Sequence, residues 1–246
     1  MKPATPSRRT AGGFTLVEVL ISMTIFTLAM GMALGTFLHG LRTMYRDTQR
    51  LSTNANLRYF TAHVAKETLD SSEFYLFPYY TALDGSPVNL TTDVSPLEND
   101  AYNTDVTYGE CLVLVTRVDV ASSANIRQFK IYYRAVTTNA LTADGPIRFY
   151  ESTDYGAGGT STDLTLLLNA VNLSSTPSIA GSRQIIARAR GRPRTTSTVY
   201  PIFSSESPTV TPINDTVSIN VEVINGTTAG NMLSSSSFNY TISPRR

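Results

Sequence analysis

The sequence predicts an α+β protein: a long N-terminal, membrane-spanning α-helix packed against an antiparallel β-sheet headgroup. Three observations predict it. Residues 14–38 form an apolar run interrupted by one charge, Glu18. An amphipathic stretch without proline or glycine follows over residues 41–77. Beyond residue 109 come short runs rich in β-branched and aromatic residues, separated by turn-forming residues. The order is one helix followed by strands, which is the pattern of an α+β layer fold.

Residues 1–13, MKPATPSRRTAGG, are polar, basic and free of acids. Formal net charge is +1, and three of the positive charges are Lys2, Arg8 and Arg9. The rest of the chain is therefore slightly acidic, which excludes a basic nucleic-acid binder by composition. Charged residues make up 16% of the chain while hydrophobic content is 41%, so the apolar residues are unevenly placed rather than abundant. Residues 19–38 carry no charge, and about 20 residues of helix cross a bilayer core. A cleavable secretory signal has a shorter apolar region, about 7–15 residues, that ends at a small-residue site. Here the small pair Gly12-Gly13 precedes the apolar run.

Glu18 is the feature a simple anchor leaves unexplained. A charge inside a membrane span costs about 2.5–3.5 kcal/mol on insertion scales and marks function. A cut after Gly13 would leave Phe14 with a free amino group four residues before Glu18. The carboxylate would then favour the positive end of its own helix, or neutralise the amino terminus of a neighbouring chain. The second arrangement lowers the desolvation cost of both charges and forms at one stagger only.

Gly13-Phe14-Thr15-Leu16-Val17-Glu18-Val19-Leu20, with its basic leader and following apolar helix, resembles the cleavage and methylation motif of type IV prepilins and pseudopilins. The resemblance implies cleavage after Gly13 by a membrane prepilin peptidase, N-methylation of Phe14 by the same enzyme, and docking into a filament through Glu18. It implies no catalytic residue and no cofactor in this chain, which is the substrate of the peptidase. Two features depart from the family pattern. There is no proline between Pro6 and Pro78; Gly31 and Gly35 occupy that part of the helix instead, and either soften it or allow close packing as a GxxxG pair. A lone cysteine, Cys111, also excludes the C-terminal disulfide common in major pilins.

In residues 39–77 the helix continues in amphipathic form. Leu57, Phe60 and Val64, with Leu51 and Ala55 nearby, mark one buried face. A helix from about residue 14 to about residue 69 would be on the order of 80 Å long. Residues 78–246 form the β-rich headgroup: 78–109 read as an extended loop region, and strands are expected at 110–118, 127–136, 146–151, 184–190, 199–203, 216–224 and 237–243. The runs ECLVLVT, QFKIYYRAV and GPIRFYE, the ending SFNYTISPRR and the helix segment NLRYFTAHVAKET are similar to J-type minor pseudopilins of type II secretion and to W-type minor pilins.

Other candidate sites carry less. Arg188, Arg190, Arg192 and Arg194 alternate with small residues, so an extended strand would place them on one face. They form either a polyanion patch or, the preferred reading, a solvated strand that protects a sheet edge. No aromatic residue interleaves them, so nucleic acid is the weaker partner. Asp93, Glu98, Asp100 and Asp105 lie in a loop without EF-hand spacing. His39 and His63 stand alone, so no metal ligand set is expected. Cys111 lies in CLVLV and reads as a buried small hydrophobe. The Gly-rich segment 154–163 lacks a lysine and phosphate-loop spacing.

The function expected is a structural subunit, a minor pilin or pseudopilin, of a type IV pilus or type II secretion filament. It would sit in the inner membrane by a single pass, headgroup outward in the periplasm, before assembly. Its partners would be the prepilin peptidase, other pilins through the N-terminal helix, the inner-membrane assembly platform and the lipid bilayer. The alternative is a tip adhesin or DNA-binding receptor module that uses the arginine stripe.

Overall fold

A computed structural model describes residues 13–77, 79, 107–118, 125–136, 143–171, 178–192, 200–205, 216–225 and 234–242. The chain divides into two compact units, Met1–Thr48 and Gln49–Arg246. Helix α1 runs from Leu16 to Leu69 and contributes to both. It is unbroken at Gly31 and Gly35. The expected α+β class is the one observed, with a long apolar helix and a large antiparallel sheet.

In the first unit every described residue is exposed. In the second, α1 buries Thr53, Leu57, Phe60, Val64 and Thr68, a stripe at three- and four-residue spacing. Leu51 and Ala55 lie off this stripe and are exposed. Asn225 Nδ2 donates to Thr53 Oγ1 at 2.8 Å, so this small polar position is also paired.

α1 ends at Leu69, the expected end of the continuous helix, and short of the residue-77 bound drawn for its amphipathic segment. Ser71 closes it by donating from its amide and its hydroxyl to the Thr68 carbonyl, at 3.1 and 2.7 Å. The Asp-Ser-Ser turn is followed by EFYLF, whose aromatic residues favour a pleated strand. This segment is β1 (Glu73–Phe77) and pairs antiparallel with residues 111–115. The expected continuation of the helix over 70–77 is therefore corrected: strand pairing captures these residues.

The remaining strands are β2 (Thr107–Gly109), β3 (Cys111–Arg117), β4 (Ile126–Arg134), β5 (Gly145–Glu151), β6 (Arg183–Gly191), β7 (Phe203–Ser205), β8 (Val217–Asn225) and β9 (Ser234–Ile242). All pairings are antiparallel, in the order β1-β3-β4-β5-β6-β8-β7-β2, with β9 on β8. β9 pairs along the whole of β8. On the opposite side β8 is shared: Val217–Ile219 pair with β7, and residues 221–223 pair with β6. Gly191 ends β6 where the chain returns against itself. A Cβ there would lie 1.6 Å from the Tyr200 carbonyl oxygen, so only glycine fits. Two expectations shift, and one element is unexpected. The strand expected at 199–203 is observed at Phe203–Ser205; residues 107–109 are a short strand; and 164–170 form a helix, α2 (Leu164–Ala170), capped by the Asp163 carboxylate on the Thr165 amide at 2.8 Å.

Both faces of the sheet are covered. Leu112, Leu114, Tyr132, Phe149 and Val221 join the α1 stripe in one cluster. Cys111, Val113, Val115, Ile131 and Tyr133 join Leu164 and Leu168 of α2 in another. This accounts for the unbroken apolar run CLVLV: a strand buried on both faces cannot alternate. Cys111 is buried as expected, and burial raises its thiol well above the ordinary range.

One charge pair is buried in this core. Arg134 Nε donates to Glu110 Oε2 at 2.6 Å, and the Ile202 amide donates to Glu110 Oε1 at 3.2 Å. Arg134 also donates to the Ala143 carbonyl. Burial pushes the Glu110 carboxyl up to about 7, against the pull of Arg134 and of the Ile202 amide.

Candidate functional site

The start of α1 is built by its own side chains. Gly13 and Phe14 precede the helix and are exposed, Phe14 at 83%. Thr15 is the last residue before α1, and its carbonyl accepts the first helical bond from the Val19 amide at 3.2 Å. The Glu18 amide donates to Thr15 Oγ1 at 3.3 Å. In return, the Thr15 amide and hydroxyl donate to Glu18 Oε2 at 2.9 and 3.0 Å. This is a reciprocal capping box, threonine at the cap and glutamate three residues on. It satisfies orphan amides at the helix start and sets a negative charge against the positive helix end. Among the described residues Glu18 Oε1 accepts no hydrogen bond, and the cap engages Oε2 alone.

Sequence reasoning placed Glu18 by its charge and overlooked Thr15. The signal was present: T-x-x-E immediately before an apolar run is a helix-start signature.

From Val19 to Leu38, α1 carries no charged side chain and exposes large apolar ones. Leu20, Ile21, Met23, Ile25, Phe26 and Leu28 are all about half exposed or more. The hydroxyls among them turn inward. Ser22, Thr24, Thr27 and Thr36 each donate to a carbonyl three or four residues back, at 2.6–3.0 Å. With those donors satisfied internally, the helix can sit in a medium that offers no hydrogen bonds. α1 is long and apolar enough to cross a membrane.

The arginine stripe is arranged differently from the expectation. β6 is not an edge; it lies between β5 and β8. Arg188 is paired with Asp144, and Arg190 Nε donates to Glu222 Oε2 at 2.7 Å. Arg192, just after β6, is exposed, and Arg194 lies outside the described residues. The edge-protecting reading is thereby corrected: Arg190 pairs across to Glu222 of β8, and Arg188 pairs with Asp144, just before β5. The acidic residues Asp93, Glu98, Asp100 and Asp105 also lie outside the described residues. Among the described residues no group of three His, Cys, Asp or Glu could hold a metal ion.

Residues 8–34 match the family model for the prokaryotic N-terminal methylation motif. The match covers the end of the basic leader, Gly13, Phe14, the capping box and most of the apolar run. No curated protein and no solved structure matches the chain. The chain therefore carries the type IV prepilin-like signature at its N-terminus, and among the described residues α1 is the helix long and apolar enough to cross a membrane.

Proposed function

We propose that this chain is a minor pilin or pseudopilin, of J or W type, in a type IV pilus or type II secretion filament. The peptidase cuts after Gly13 on the cytoplasmic side and methylates Phe14. Lys2, Arg8 and Arg9 hold the leader on that side, and the headgroup stands in the periplasm. An assembly platform then lifts the subunit from lipid into a bundle of like helices. Glu18 sets the register by meeting the freed amine of a neighbouring chain.

The observation that carries this reading is the conjunction at residues 13–18: an exposed Gly13-Phe14 junction ahead of the helix, then a carboxylate in the first turn of an uncovered apolar surface. One Glu18 oxygen is committed to the helix start and the other is available, so the carboxylate can keep its own cap and still receive a cation. The receptor alternative draws no support from Arg188 and Arg190, whose charges are already matched.

Two measurements test the reading. Intact mass of the chain from cells with an active peptidase should show a methylated chain that begins at Phe14; retention of residues 1–13 contradicts it. Glu18→Ala should be processed and inserted normally yet fail to enter sheared filaments, by at least tenfold, the factor that about 1.4 kcal/mol supplies. Normal incorporation would remove the register role.

A further inference from the structure

His63 was unremarkable as sequence, a lone histidine on a helix. The fold surrounds it with partners from three strands. Its Nδ1 lies 2.6 Å from the Tyr132 hydroxyl of β4, and Arg183 of β6 reaches its Nε2 at 2.8 Å. Its ring packs edge-on against Phe149 of β5 at 4.9 Å and Tyr132 at 5.7 Å. The Arg183 guanidinium also lies 4.9 Å over the Phe149 ring, which holds it in place.

These partners dictate the protonation state. A guanidinium has donors and no acceptor, so Nε2 must carry the lone pair. The single ring proton is then on Nδ1, which donates to the tyrosine oxygen. Adding a proton to Nε2 sets donor against donor and cation against cation.

The neighbouring carboxylates do not repair this. On α1, Tyr59, Lys66 and Glu67 face the ring; from the sheet come Lys130 and Tyr132 of β4, Glu151 of β5 and Arg183 of β6. Glu67 and Glu151 would welcome an imidazolium, but both already receive Lys130, Glu67 in a close pair and Glu151 at 3.7 Å. Lys66 and Arg183 oppose it.

We propose that His63 is a pH-sensitive latch: neutral, it ties the headgroup portion of α1 to β4 and β6, and protonated, it releases Arg183 and loosens that tie. His63 lies well beyond the uncharged stretch 19–38, in the part of α1 that packs on the sheet. Its pKa is held below the ordinary 6.5, chiefly by burial, with Glu67 opposing, Arg183 and Lys66 assisting, and Glu151 opposing. A folded value below the unfolded one means that the contribution is complete above the unfolded value and is lost as pH falls through the folded one. The latch thus opens on the acid side of neutrality, a window in which the raised Glu110 carboxyl also titrates, so the His63→Gln comparison isolates the histidine.

The test uses the full chain in detergent micelles. Imidazole NMR should show His63 as the Nδ1–H tautomer with a midpoint below the ordinary value. From about pH 7.5 to about pH 5, hydrogen-exchange protection of α1 amides around His63, corrected for intrinsic rates, should fall about three- to tenfold. His63→Gln should flatten that dependence. Arg183→Leu, a change at an exposed residue, should raise the His63 midpoint. A midpoint at or above the ordinary value, an unchanged pH dependence in His63→Gln, or an unmoved midpoint in Arg183→Leu each overturns the latch. Should His63→Gln not fold, the Arg183→Leu midpoint decides the matter alone.

Discussion

One helix presents two different surfaces. From Leu16 to Thr48 every residue of α1 is exposed, although the segment is the most apolar in the chain. From Gln49 to Leu69 the same helix buries a narrow stripe of five residues beneath a sheet. Secondary structure is identical in the two regions; what differs is the medium each is written for. The second region is amphipathic because one face meets protein and the other meets water. The first, over residues 19–38, is uncharged all round, the pattern of a helix suited to an apolar medium on every side. Its hydroxyls, turned back onto their own carbonyls, belong to the same logic, as does the glutamate that closes its first turn.

A direct way to break this comparison is to make the same change in both regions. Phe60 is fully buried, whereas Phe26 is 69% exposed. Phe60→Ala should destabilise the headgroup by about 3–5 kcal/mol. Phe26→Ala should leave headgroup unfolding within about 0.5 kcal/mol of the parent. Denaturant unfolding in micelles, followed by tyrosine fluorescence, measures both. Equal effects would mean that the two regions are not distinct.

The buried pair Glu110–Arg134 sharpens the account of the second region. Arg134→Ala strands a buried carboxylate among apolar strands and should cost about 3–5 kcal/mol. Replacing both partners with leucine and methionine should recover most of that loss, because the pair's mutual attraction is largely offset by desolvation. A double variant as unstable as the single one would show that the pair contributes more than it costs.

The smallest effect concerns the helix start. Thr15→Ala removes one half of the capping box and should weaken it by about 1 kcal/mol. The loss should appear as faster hydrogen exchange confined to residues 16–19, with headgroup unfolding unchanged. A change in headgroup stability would contradict the independence of the two regions.

Much of this architecture could be read locally. The uncharged run, the isolated Glu18, the stripe at residues 57, 60 and 64 and most strands were legible because each is a pattern within a few turns of chain. Even the capping box was legible, as threonine and glutamate three apart at the edge of an apolar run. The arginines misled because alternation on a strand says which face a side chain takes and not what stands opposite. Asp144 and Glu222 lie 44 and 32 residues away from the arginines they meet.

The sequence by itself determined where the apolar helix lies, where its charge sits and which short runs prefer to pleat, since helix and strand periodicity are properties of neighbouring residues. Only the tertiary structure decided that the helix yields to a strand at Glu73, that β8 is shared between β6 and β7, and that His63 meets a tyrosine 69 residues away and an arginine 120 residues away. Such partners are chosen when the chain closes on itself, and nothing in the spacing of either residue records the other.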